Sequence, residues 1–99
     1  MASVTWTAPA LDDLDAVCRF VGRNLSRLAD AFAEQVFAAA DMLETFPQLG
    51  RSVAEADLPE IRELLVQSYR VVYRYEQGNV EILAIIHAAR RLDPRSFMN

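Results

Sequence analysis

Apolar positions along the chain follow two rhythms. Between residues 11 and 46 they return every three or four places, and between residues 61 and 87 they alternate or run together, so helices precede strands. Leu11, Leu14, Val17, Cys18 and Val21 mark the face of a first helix. Thr7, Pro9 and the pair Asp12 and Asp13 predict its start: a side-chain cap, a first-turn proline and carboxylates at the positive end of the helix dipole. It should run to about Gly22 or Asn24. Leu28, Phe32, Val36, Ala39, Leu43 and Phe46 predict a longer second helix, capped by Ser26 and ended by Pro47 and Gly50. The short break between the two implies an antiparallel helical hairpin whose shared apolar side covers a sheet, with Phe32, Phe37, Met42 and the alanines in its core.

The second rhythm predicts strands. Ser3–Trp6 is a short β-prone segment, Arg51–Pro59 an aperiodic loop and Ile61–Val66 a strand. Tyr69–Glu76 alternates strictly, with Tyr69, Val71, Tyr73 and Tyr75 on one side and Arg70, Val72, Arg74 and Glu76 on the other. Val80–His87 follows across Gln77, Gly78 and Asn79, which predicts a β-hairpin. A two-residue Gly78-Asn79 loop would set Arg74 opposite Leu83, Val72 opposite Ile85 and Arg70 opposite His87. That register gathers cations, one imidazole and aliphatics on a single face, a candidate binding surface, and a bulge would swap the faces. Pro94 stops the last strand, and Phe97 and Met98 in the tail are expected to dock back on the body. The sum is a βααβββ chain of the α+β class: a helical hairpin on a small antiparallel sheet, with residues 1–99 forming one domain.

Composition narrows the function. At 53% hydrophobic and 24% charged residues the chain balances like a globular domain. No apolar run is long enough to span a membrane and no leader-like segment opens the chain, so a cytoplasmic protein with no membrane partner is expected. One cysteine, Cys18, excludes an internal disulfide and a multi-cysteine metal site, and its helical position marks it as a packing residue. All 10 basic residues are arginine, yet the net charge is −4 with a pI near 4.8. That balance argues against a chain that grips bare phosphate backbone, so direct nucleic-acid binding is not expected. Nothing calls for a cofactor or metal, since no phosphate loop, ligand cluster or nucleophile elbow is present.

Several short motifs occur in a fixed order: Trp6-Thr7, then Ala10 and Asp13-Leu14; Leu43-x-x-Phe46-Pro47-x-x-Gly50-Arg51; Ile61-Arg62-Glu63; Tyr69-Arg70-Val71-Val72-Tyr73-Arg74; and Ile86-His87-x-x-Arg90. Together they span almost the whole chain and resemble the RelE/ParE toxin superfamily, more closely its ParE branch. The resemblance implies the toxin of a type II toxin–antitoxin module, neutralised by a cognate antitoxin, ParD-like or other, and inhibiting DNA gyrase by binding. The superfamily's other branch holds ribosome-dependent messenger-RNA endonucleases. An inactive scaffold that only binds its antitoxin is a third reading.

RNA cleavage needs a group that activates the 2′-hydroxyl, one that protonates the leaving oxygen, and cations for the transition state. Arg70 and Arg74 could supply the cations, His87 the acid or base, and Glu81 or Glu63 its partner. Against this stand the acidic pI, the absence of lysine and the bland Ala88-Ala89 after the strand. A lone histidine at a strand end such as His87 is more often a structural hydrogen-bonding residue than a catalyst, and Arg62, Arg70 and Arg74 read equally as cross-strand partners of Glu60, Glu63, Glu76 and Glu81. For a binding toxin with no catalytic residue, the candidate contact set is Arg62, Arg70, Arg74, Leu83, Ile85, His87 and Arg90.

Overall fold

Thr7 organises the start of the chain. A computed structural model describes residues 1–97, the Phe97 side chain excepted, so the docking expected of Phe97 and Met98 lies outside the described residues. In it, Thr7 Oγ1 accepts the Ala10 N–H at 3.3 Å and donates to Ile82 O at 2.8 Å, capping the first helix while tying it to the sheet. Strand β1 (Ser3–Trp6) leads into helices α1 (Ala8–Val21) and α2 (Ser26–Met42). Strands β2 (Arg51–Ser52), β3 (Ile61–Val66), β4 (Tyr69–Glu76) and β5 (Asn79–His87) follow, and a 3₁₀ turn closes the described chain at Pro94–Phe97.

The strand order is β1-β5-β4-β3-β2. Strands β3, β4 and β5 pair antiparallel as expected and β2 pairs antiparallel to β3, but β1 pairs parallel to β5, Ser3 opposite Asn79 and Trp6 opposite Ile82, so the sheet is mixed and not wholly antiparallel. Strand β2 lies inside the segment read as a loop, where two residues suffice to extend the edge of β3.

The β4–β5 register differs from the expected one. The turn is Gln77-Gly78, with φ of 53° and 78°, and Glu76 pairs with Asn79. Both central residues of such a tight turn need positive φ, which suits Gly78, and Gln77 adopts it too. Arg74 therefore faces Glu81, not Leu83, and Arg70 faces Ile86, not His87. Between Tyr73↔Ile82 and Val72↔Ala84 the register slips, leaving Leu83 as the extra residue of a bulge.

The bulge divides β5 between two cores. On the helical face, Val80, Ile82 and Ile85 join Tyr69, Val71 and Tyr73 under Leu14, Phe32, Val36 and Leu43. On the other face, Leu83 and Ala84 pack with Val72, Ile61, Val53 and Leu92, covered by the 53–58 loop and the C-terminal segment. Asp13, expected at the helix dipole, lies in the second turn of α1, where Oδ2 accepts the Ile85 N–H just past the bulge at 3.0 Å.

The buried helical stripe is narrower than the periodic one. Phe32, Val36, Ala40 and Leu43 are buried, but Leu11, Leu28, Phe37, Met42 and Phe46 are exposed, because only one layer lies beneath the hairpin. Phe37 meets Trp6 at the rim, ring centroids 5.3 Å apart. Leu25, not Ser26, holds the N-cap position of α2, and no side chain caps it.

Candidate functional site

Most charged chemistry gathers on the sheet face away from the helices. Arg70 projects there from the first residues of β4 and is 6% exposed, so its charge must be matched locally. Its Nε donates to Glu63 Oε1 at 2.8 Å, and its terminal nitrogens donate to both carboxylate oxygens of Glu55 at 2.8 and 2.9 Å. Arg51 Nε completes Glu63 at 2.8 Å. Hydrogen bonds from Arg70 and from the Leu92 N–H hold the Glu55 carboxyl down at about 2, and the same carboxylates raise the guanidinium above its ordinary value. Arg70 also donates to Arg90 O at 3.2 Å, so one guanidinium joins β4, the 53–58 loop and the C-terminal segment.

The other sequence candidates are dispersed. Arg62 donates to Gly50 O at 2.8 Å and Gln48 O at 3.4 Å, bracing the exit from α2. Arg74 meets Glu81 at 3.4 Å, a cross-strand pair. Leu83 and Ile85 are buried on opposite faces. His87 stands at the far end of β5 on the helical side, its ring edge-on to Tyr69 at 5.3 Å, and its Nδ1 accepts the Ala89 N–H at 3.1 Å. His87 and Arg90 are exposed. The register brings Arg74 and Glu81 together and Arg70 to Glu63, but sets His87 on the opposite face from all four.

Several hollows open around the sheet. A groove of 440 Å³ runs between α1 and the end of β5, lined by Ala16, Val17, Phe20, Tyr69, Ile85 and His87 among others. A cavity of 620 Å³ lies between the N-terminal end of α1, the β-bulge and residues 90–96. Among the described residues no cluster of His, Cys, Asp or Glu is placed to hold a metal, and no helix is long and apolar enough to cross a membrane.

Three side chains have roles that residue patterns do not reveal: Glu55, Asp13 and Tyr73. Glu55 sits in an aperiodic loop with nothing to single it out, although a strand arginine flanked by Tyr69 and Val71 signals that some carboxylate must reach it. Asp13 acts on a bulge that no residue pattern announces. Tyr73 buries its hydroxyl between Pro47 O, to which it donates at 2.8 Å, and the Gly50 N–H, from which it accepts at 2.9 Å. A Cβ on Gly50 would come within 2.7 Å of that ring, so the Phe46-Pro47-x-x-Gly50 turn and the Tyr69-to-Arg74 strand form one packed joint.

A helical hairpin on a mixed five-stranded sheet is the architecture of the RelE/ParE superfamily of toxins. Residues 4–92 match the family described as the ParE toxin of type II toxin–antitoxin systems, parDE, and the chain belongs to that family. It is 39% identical over 90 residues to Toxin RelE2 of Caulobacter vibrioides, covering 91% of this chain and 99% of that protein. Its fold is similar to the chromosomal ParDE TA system from P. aeruginosa, with a TM-score of 0.72 at 21% identity over 88% of this chain and 96% of that one.

Proposed function

We propose that this type II toxin acts by binding, with DNA gyrase as its target, and that an antitoxin segment neutralises it. One observation carries the non-catalytic reading: the groups proton transfer would need do not converge. Arg70 is buried between Glu55 and Glu63, and His87 lies on the other face of the sheet. A general acid or base must come within hydrogen-bond reach of the reacting atoms that its cationic partner also touches. The antitoxin follows from the family and from the ParDE pairing named for the structural neighbour, and the groove beside α1 offers its segment apolar cover from Val17, Phe20 and Ile85. A partner that binds only the folded toxin should raise its stability by about 2.7 kcal/mol at a hundredfold excess over Kd.

The decisive comparison is His87→Gln in cells and with purified gyrase. The substituted toxin should still arrest growth and inhibit supercoiling within about threefold of the parent, since no proton moves through the imidazole. The RelE2 name of the Caulobacter relative supports a second reading, ribosome-dependent messenger-RNA cleavage. On that reading the same change costs about 10²–10⁴-fold in cleavage, and cleaved messenger RNA accumulates in arrested cells while supercoiling is untouched.

A further inference from the structure

Most arginines of this acidic chain are already engaged. Arg19, Arg51, Arg70, Arg74 and Arg95 each meet a carboxylate, Arg62 meets carbonyls, and Arg23 lies over the Phe20 ring. Arg90 and Arg91 are exposed, and neither side chain has a partner among the described residues. Their backbone is nonetheless held. The Arg90 N–H donates to His87 O at 3.0 Å, Arg90 O accepts from Arg70, and the Leu92 N–H donates to Glu55 Oε2 at 2.9 Å. The Leu92 side chain is buried in the outer core beside Leu83 and Ala84. Two cations with no side-chain partner among the described residues are thus displayed from a segment held by backbone hydrogen bonds, so little ordering is lost when they are engaged.

Arg90 and Arg91 both line the 620 Å³ cavity, whose wall includes Leu83, Ala84 and Ile86. The carboxylates that also line it are occupied: Asp13 by the Ile85 N–H, Glu81 by Arg74 and Asp93 by Arg95. We propose that Arg90, Arg91 and this cavity form a docking surface for an acidic protein segment of the toxin's target, carboxylates meeting the two arginines and an aliphatic side chain entering beside Leu83 and Ile86. A polypeptide fits better than a nucleic acid, because two arginines beside an apolar wall make no phosphate-tracking stripe on a chain of net charge −4. This rests on the reading of the chain as a binding toxin and adds where its target is held.

The test uses a synthetic peptide of alternating aspartate and leucine, titrated into the full toxin and followed by NMR. The Arg90 and Arg91 Nε–H signals and the Leu83 and Ile86 methyls should shift together, and a leucine-free acidic peptide should leave the methyls in place. Absence of shifts with the first peptide overturns the proposal, as does an oligouridine that moves the same signals more strongly. In cells, Arg90→Glu with Arg91→Glu should weaken growth arrest by at least about a hundredfold, because like charges then face each other, while Arg27→Glu leaves it unchanged. If the reversal disturbs the fold, the milder pair Arg90→Gln and Arg91→Gln takes its place, and full arrest by a folded variant overturns the surface. A parent toxin that leaves gyrase supercoiling intact defeats the gyrase assignment alone, since the peptide titration reads the surface without gyrase.

Discussion

The two faces of the sheet are closed by different chemistry. Under the helices, Phe32, Val36 and Leu43 meet Val71, Tyr73 and Ile82 in a core assembled from regular elements. On the opposite face a loop and the C-terminal segment cover Val72, Leu83 and Ala84, joined through Arg70, Glu55 and Glu63. Apolar contact is tolerant of small shifts, whereas a buried ion pair stabilises only in one geometry. The first face therefore supplies stability and the second fixes where particular groups stand. The proposed contact pair, Arg90 and Arg91, stands at the rim of the second face, where irregular segments can be placed without breaking a helix or a strand ladder.

Substitution on the inner face should have the largest effect. Phe32→Ala removes a fully buried ring that also packs edge-on to Tyr69 at 5.2 Å, and should cost about 3–5 kcal/mol. Denaturant unfolding measures this, and a loss under about 1 kcal/mol would mean that the inner face is not the stabilising one.

On the outer face, Arg70→Met leaves Glu63, itself 4% exposed, without its main counter-charge and should cost about 3 kcal/mol. Adding Glu63→Gln to Arg70→Met should restore part of that loss, because the orphaned charge is then gone. The same glutamine in the parent background should only destabilise. If the two changes simply add, the network contributes nothing as a unit and the contrast between the faces fails.

Acid should produce the smallest and most selective change. The Glu55 carboxyl titrates near 2 in the folded protein, below the ordinary glutamate value of 4.5, so its contribution is complete above about 4.5 and is lost as pH falls towards 2. The Leu92 amide, which donates to Glu55, should move in an NMR pH titration across that window, while the inner-face Ile82 and Val71 methyls stay put. Simultaneous movement of both sets would mean that the outer closure does not loosen before the whole fold.

How much of this could be read from the residues differs by face for the same reason. Strands Ile61–Val66 and Tyr69–Glu76 fall where alternation places them, and Phe32, Val36 and Leu43 where helical periodicity does, because regular elements repeat their environment. The hairpin register did not follow, since glutamine is a poor marker for the positive φ that Gln77 adopts. One displaced turn and one bulge at Leu83 separate His87 from Arg70, and these decide whether a catalytic set assembles. Glu55 lies in a loop with no period to betray it. The motifs shared with the superfamily were legible as motifs, but their physical content, such as the Tyr73 hydroxyl between Pro47 and Gly50, needed coordinates.

The parallel pairing of β1 with β5 has a consequence in time. Ser3 and its partner Asn79 are 76 residues apart, so the first strand made has no neighbour until the last one is synthesised. At a synthesis rate of about 5–20 residues per second, that gap lasts about 4–15 s. Contacts of such long range also slow folding itself, because a large loop must close before any of them forms. Both Thr7 bonds to Ile82 and the Asp13 bond to Ile85 wait on the same event. A nascent toxin therefore stays unassembled for seconds after its helices have left the ribosome, an interval in which an antitoxin already present in the cell can be waiting for it.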